Sequence, residues 1–203
     1  MSSQPCGCDP ELNYHAPLCP AVHDWEHAAI QTPALDVPTG RRMPKQKPGR
    51  SKQDYQTPGN FLTAVKTRFG IDAFQWDFAA DQTNTVSPYG YWNAHDNSLS
   101  KPSAEWIRKI QGGWGWLNPP YADIGPWAER CLMAGARGGR ICFLVPAGIG
   151  SNWYRDFVDG HAHVLALNGR LSFDGKAPYP KDCILAVYGL GVRGGFEVWD
   201  WEP

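Results

Sequence analysis

Asn118-Pro119-Pro120-Tyr121 is the stretch of this chain whose residue types can do chemistry. The side-chain oxygen of Asn118 and the carbonyl oxygen of Pro119 can both accept hydrogen bonds from one planar NH2 group. Accepting both protons draws the nitrogen lone pair out of conjugation and aims it at an electrophile, as methyl transfer to an aromatic exocyclic amine requires. The ring of Tyr121 can stack on a nucleic-acid base taken out of its duplex. A proline-rich turn with a packing tyrosine is the structural alternative. The motif follows the apolar run Trp114-Gly115-Trp116-Leu117. An apolar run that stops at Asn-Pro-Pro reads as a buried strand ending in a rigid turn, because proline cannot continue a ladder. In an open α/β sheet, that edge is where ligands bind.

The elements that must position the motif read as alternating helices and strands. Thr57 is placed to cap a helix through Phe61, Leu62, Val65 and Phe69, with Pro58 at its first position and Gly70 as its stop. Phe74 to Phe78 reads as a buried strand, Ser103 to Ile110 as a short helix, and Gly125 to Ala136 as a helix. Strands are expected at Arg140–Val145, His163–Leu167 and Cys183–Tyr188, with a helix at Asn152–Val158. Continuous apolar strands alternating with helices predict an α/β fold, with a mostly parallel sheet and helices on both faces.

The chain has 203 residues and a net charge of −1, enough for one domain with a sizeable core plus an appendage. It lacks a global basic signature of nucleic-acid binding. The distribution says more. Residues 1–40 contain no Lys or Arg, and then Arg41, Arg42, Lys45, Lys47, Arg50 and Lys52 follow without an intervening acid. That is a basic arm for phosphate, or equally a solvated linker. Residues 1–53, rich in Pro, Ser and Gly, read as a flexible or weakly structured arm, and 54–203 as the catalytic domain. No apolar run approaches the ~20 residues of a membrane span, and no signal peptide opens the chain, so a cytoplasmic protein is expected. Its six cysteines are then thiols or metal ligands. Cys6, Cys8, Cys19 and His23 offer a Cys3His zinc set. Their spacing matches no strong signature, and unliganded thiols are the preferred reading.

Three stretches join the proline motif: Gln56-Thr57-Pro58, Trp76-Asp77-Phe78-Ala79-Ala80-Asp81, and Asp96-Asn97-Ser98-Leu99. In that order, with Leu144-Val145-Pro146-Ala147 and Gly169-Arg170-Leu171-Ser172-Phe173 beyond, the chain resembles the phage-type DNA adenine N6-methyltransferases over roughly residues 55 to 190. The resemblance implies a Rossmann-like class I methyltransferase fold and S-adenosylmethionine as the methyl donor. It implies the N6 amine of adenine in double-stranded DNA as acceptor, in the cytoplasm of a bacterial host carrying a phage or prophage. It assigns catalysis to Asn118, Pro119, Pro120 and Tyr121. To the cofactor it assigns Thr57 and Pro58, which shape the methionine end of the pocket, Asp77 with the backbone of Phe78 and Ala79, and Asp96 toward the adenine or ribose. The glycine-rich turn common in methyltransferases is replaced here by Phe78-Ala79-Ala80-Asp81.

The same Asn-Pro-Pro-Tyr chemistry also serves cytosine N4, RNA guanine N2 and protein glutamine acceptors. A catalytically inactive DNA-binding module on this fold is the non-enzymatic alternative. For target recognition, loops 121–126, 147–153 and 172–182 remain. Lys176 and Lys181 there flank Pro178-Tyr179-Pro180 as a phosphate-and-stacking loop, and Arg170 reads as a phosphate contact or a surface partner of Asp174.

Overall fold

The computed structural model describes residues 56–83, 86–173, 175–189 and 194–202. The basic segment 41–52 and the Cys6, Cys8, Cys19, His23 set lie outside the described residues. Helix α1 spans Gly59–Phe69, strand β1 Trp76–Asp77, helix α2 Ser103–Ile110 and strand β2 Trp114–Leu117. Helix α3 spans Gly125–Gly135, strand β3 Arg140–Pro146, helix α4 Asn152–Phe157, strand β4 His163–Asn168, strand β5 Cys183–Tyr188 and strand β6 Gly195–Asp200. A single 3-10 turn, Ser98–Ser100, precedes α2.

The strands form one mixed sheet in the order β1-β2-β3-β5-β4-β6. The β1–β2, β2–β3 and β4–β6 ladders are parallel, whereas β5 runs antiparallel to both β3 and β4. The fold is therefore α/β, but the expected mostly parallel sheet is a mixed one. The central strands carry the core. Ile141 to Val145 of β3 and Ile184 to Leu185 of β5 are fully buried, which is why they read as unbroken apolar runs.

Successive residues of a strand face opposite sides, and β2 shows both sides covered. Trp114 and Trp116 pack against Phe69 and Phe61 of α1. On the opposite face Gly115 leaves room for Phe78, whose ring stacks on Trp106 of α2 at 4.0 Å. Trp106 in turn meets Trp127 of α3. At the far edge, Glu197 of β6 accepts from Arg68 at the end of α1 (2.5 Å) and pairs with His163 of β4 (2.7 Å).

Most of the expected elements form within a residue or two of their expected limits, and Gly70 ends α1 in the left-handed conformation (φ 61°). Four expectations change. The strand expected over Phe74–Phe78 is regular only at Trp76–Asp77, though Gln75 and Phe78 each donate a backbone hydrogen bond to β2. Strand β6 was not expected. Thr57 does not cap α1: the cap position is Pro58, with no side-chain hydrogen bond. Arg170 pairs with Asp182, Nε to Oδ1 at 3.1 Å, and both are exposed, a contact worth little.

Candidate active site

Strands β1 and β2 are parallel neighbours with Asp77 level with Trp116. Asn118 follows β2 by one residue, so Asp77 and Asn118 reach the same carboxyl edge of the sheet. Helix α1 precedes β1 and returns to it through the turn after Gly70, which brings Thr57, just ahead of the helix, to that edge as well. Ligands bind at such an edge in open α/β sheets. Here it opens into a cleft of about 650 Å³. Thr57, Asp77, Phe78, Ala79, Asn118 and Pro120 line it, with Gln56, Asp81, His95, Trp116 and Trp127 among their neighbours.

One side of the cleft is acidic. Asp77 is 4% exposed, and its Oδ1 accepts from the Ala79 amide at 3.0 Å. Burial pushes its carboxyl up to about 7; the Ala79 hydrogen bond opposes that and nearby Asp81 adds to it. Among the described residues no Lys, Arg or His pairs with Asp77, and no Lys or Arg lines the cleft. A buried carboxylate without a cation in its own protein suits a cation supplied by a ligand. Asp81 accepts from Gln56 Nε2 and from the amide and hydroxyl of Thr83, and so ties the segment before α1 to the loop after β1.

The other side carries the amide. Asn118 Nδ2 donates to Thr57 Oγ1 at 3.1 Å, and Tyr121 Oη donates to Asn118 Oδ1 at 2.7 Å. Pro119 is buried and Pro120 exposed at the rim. The Tyr121 ring is 8% exposed and packs against Phe173 (6.4 Å between centroids) and Tyr179 (6.0 Å). Tyr179, expected in a solvent-facing recognition loop, is itself buried, whereas Lys176 and Lys181 on either side of it are exposed.

The expected constellation is thus divided. Thr57, Asp77, Phe78, Ala79, Asn118 and Pro120 share the cleft; Pro58, Asp96, Pro119 and Tyr121 are not among its lining residues. Asp96 is exposed, and its Oδ2 accepts from the Asn93 amide within its own turn. Ser98, named in the same stretch but given no role of its own, makes an anchoring contact. The Ser98 hydroxyl donates to the Phe78 carbonyl at 2.5 Å, and the Ser98 carbonyl accepts from Trp106 Nε1 at 3.1 Å. A serine two residues beyond an aspartate carries no signal of its own. Asn97, in the same stretch, and Asn93, which no motif marked, also stand on the cleft wall. Among the described residues no cluster suits a metal ion. Cys131, Cys142 and Cys183 are free, buried thiols whose pKa values burial raises. None of the described helices is long and apolar enough to cross a membrane.

The carboxyl edge of this α/β sheet thus carries an asparagine amide held by Thr57 and Tyr121 and a buried carboxyl group on the wall of one cleft. The chain belongs to the DNA N-6-adenine-methyltransferase (Dam) family, whose model matches residues 45–184. A relative from Escherichia phage T1, described as a DNA N-6-adenine-methyltransferase, is 23% identical over 149 residues. The match covers 73% of this chain and 59% of the relative, so the chain spans less than two thirds of that relative's length.

Proposed function

We propose that this protein transfers a methyl group from S-adenosylmethionine to the N6 amine of adenine in double-stranded DNA. The observation that carries the reading is the shared cleft of Asn118 and Asp77, within the segment matched by the family. The residues present fit the cofactor, since Asp77 and Asp81 line the cleft and no cation among the described residues pairs with Asp77. Asp77, with the backbone of Phe78 and Ala79, would hold the ammonium end, and Trp116 and Trp127 supply aromatic surface nearby. When bound, the cofactor supplies an electrophilic methyl on a positively charged sulfur. We read the fold as a Rossmann-like methyltransferase domain over residues 54–203, preceded by a basic arm, acting in the cytoplasm of a phage-carrying host.

The chain's own residues then act mainly by positioning, which is worth several kcal/mol where reactants are held in line. Asn118 Oδ1 and the Pro119 carbonyl accept the two amine protons and turn the lone pair out of the ring. Tyr121, freed from Phe173 and Tyr179, gives the flipped base a surface to stack on, worth about 1–3 kcal/mol. No side-chain base is needed, because the nitrogen becomes acidic only as it gains the methyl.

The test is transfer of labelled methyl onto unmethylated duplex DNA, single-stranded DNA, RNA and protein, with Asn118→Ala as the inactive control. N6-methyladenine in DNA from expressing cells, read by sequencing, is the expected product. Label in RNA, in protein or on cytosine would move the acceptor, and absence of both label and cofactor binding would leave a non-enzymatic module.

A further inference from the structure

We infer that Thr57, itself on the cleft wall, is a positioning residue that fixes the side-chain amide of Asn118. The inference rests on the methyltransferase reading for its kinetic consequence, but its geometric content stands apart. Thr57 lies one residue ahead of the cap position, Pro58, and α1 takes no side-chain cap. Its hydroxyl instead reaches a residue 61 positions away in sequence, accepting from Asn118 Nδ2 at 3.1 Å. Thr57 is 9% exposed, so that contact is sheltered from competing water.

The orientation of the amide matters because its two ends do opposite things. Oδ1 accepts from an incoming NH2 group, whereas the Nδ2 end would meet it donor to donor. The two ends are close to isosteric, so packing alone distinguishes them poorly, and hydrogen-bond partners must choose. The phenol of Tyr121 is a better donor than an aliphatic hydroxyl and takes Oδ1 at 2.7 Å. That leaves Nδ2 for Thr57. A carbonyl oxygen has two lone pairs, so accepting from Tyr121 does not by itself bar Oδ1 from the substrate amine. Thr57 holds the end that must face away. Without its hydroxyl, Nδ2 loses a sheltered partner and the amide gains freedom to turn the wrong end toward the substrate.

The discriminating pair is Thr57→Val, which removes the hydroxyl at nearly constant shape, and Thr57→Ser, which keeps it. Turnover on duplex DNA, S-adenosylmethionine affinity by calorimetry, and the 15N-resolved side-chain amide signals of Asn118 are read for each. Thr57→Val is expected to lose about 5- to 50-fold in kcat. Its cofactor affinity should stay within about threefold and its Asn118 NH2 protons should exchange faster, while Thr57→Ser recovers most of the rate. A loss expressed in cofactor affinity alone would overturn the positioning role and leave Thr57 as a donor contact. Equal losses in both variants would make its role one of shape. If the valine variant does not fold, rapid exchange of the Asn118 NH2 protons in wild-type protein overturns the inference, and slow exchange with near-native turnover in Thr57→Ser supports it. If wild-type protein methylates no DNA, the functional reading fails; unchanged Asn118 signals in Thr57→Val would separately overturn the positioning role.

Discussion

The hydroxyl of Tyr121 donates to the Oδ1 atom of Asn118 at 2.7 Å, the oxygen that the proposed reaction needs as an acceptor. The Asn118-Pro119-Pro120-Tyr121 motif is thus hydrogen-bonded to itself across three residues, and the tyrosine ring is held by Phe173 and Tyr179. Tyr121→Phe separates the two contributions of this residue. It keeps the ring and its packing but removes the donor to Asn118. Turnover should fall about 3- to 10-fold, the worth of one ordinary hydrogen bond, with folding and cofactor affinity near wild type. Tyr121→Ala should cost about 3–5 kcal/mol of stability as well, because it empties a buried aromatic site. Unchanged turnover in Tyr121→Phe would show that the hydroxyl does no orienting.

Asp77 gives a pH dependence whose sign is fixed by burial. Its carboxyl stands at about 7 in the fold against 3.8 in an exposed carboxylate. The folded state therefore prefers the protonated form. The associated stability is full below the unfolded value and is lost as pH rises through about 7. Cofactor binding runs the other way, since the ionised form pairs with a ligand cation: affinity should weaken as pH falls below about 7. Asp77→Asn should flatten both profiles, raise the thermal midpoint at pH 8 and weaken cofactor binding by roughly 10-fold or more. Calorimetry and thermal melts from pH 5 to 8.5 check this; an unchanged affinity would reduce Asp77 to a structural cap for Ala79.

Gly115 links the core to the site. A methyl group there would lie 2.5 Å from Phe78 Cε2, and Phe78 is fully buried against Trp106. Phe78 follows Asp77 directly, so displacing its ring displaces the acidic wall of the cleft. Gly115→Ala should cost about 1–3 kcal/mol by overpacking and weaken cofactor binding through the displaced Phe78, although Gly115 itself does not line the cleft. A variant with native stability and native affinity would show that Phe78 yields without moving Asp77.

Removing residues 1–53 should leave a folded core that still binds cofactor and binds DNA with less salt dependence. The six cations from Arg41 to Lys52 are the densest positive run in the sequence. Each phosphate contact adds about 0.9 to the slope of log affinity against log salt, so a slope change of roughly 2–4 is expected. Binding titrations between 50 and 300 mM salt, on the order used to resolve such slopes, measure it. A wild-type slope in the truncated protein would make the segment a linker. Failure to fold would tie 1–53 to the core, and elemental zinc at about one per chain would then assign the Cys6, Cys8, Cys19, His23 set.

The sequence alone determined what is written in short-range order. Buried strands show as apolar runs because both faces of the sheet are covered, and Gly70 and Pro146 mark element ends because one permits a left-handed turn and the other lacks a ladder donor. Asn118 and Asp77 stood out as polar residues at strand ends, and both line the cleft. Strand β6 was not, since it pairs on one side only with β4 and carries Phe196 and Val198 exposed, so it lacks a run of buried residues. Only the tertiary structure decided that β5 reverses between β3 and β4, that the Thr57 hydroxyl serves Asn118 instead of α1, that Ser98 anchors Phe78, and that Tyr121 is packed away. The reason is the same in each case. These choices are made by partners far apart in the chain, 61 residues for Thr57 and Asn118 and 20 for Ser98 and Phe78, and local periodicity carries no record of which distant group a side chain will meet.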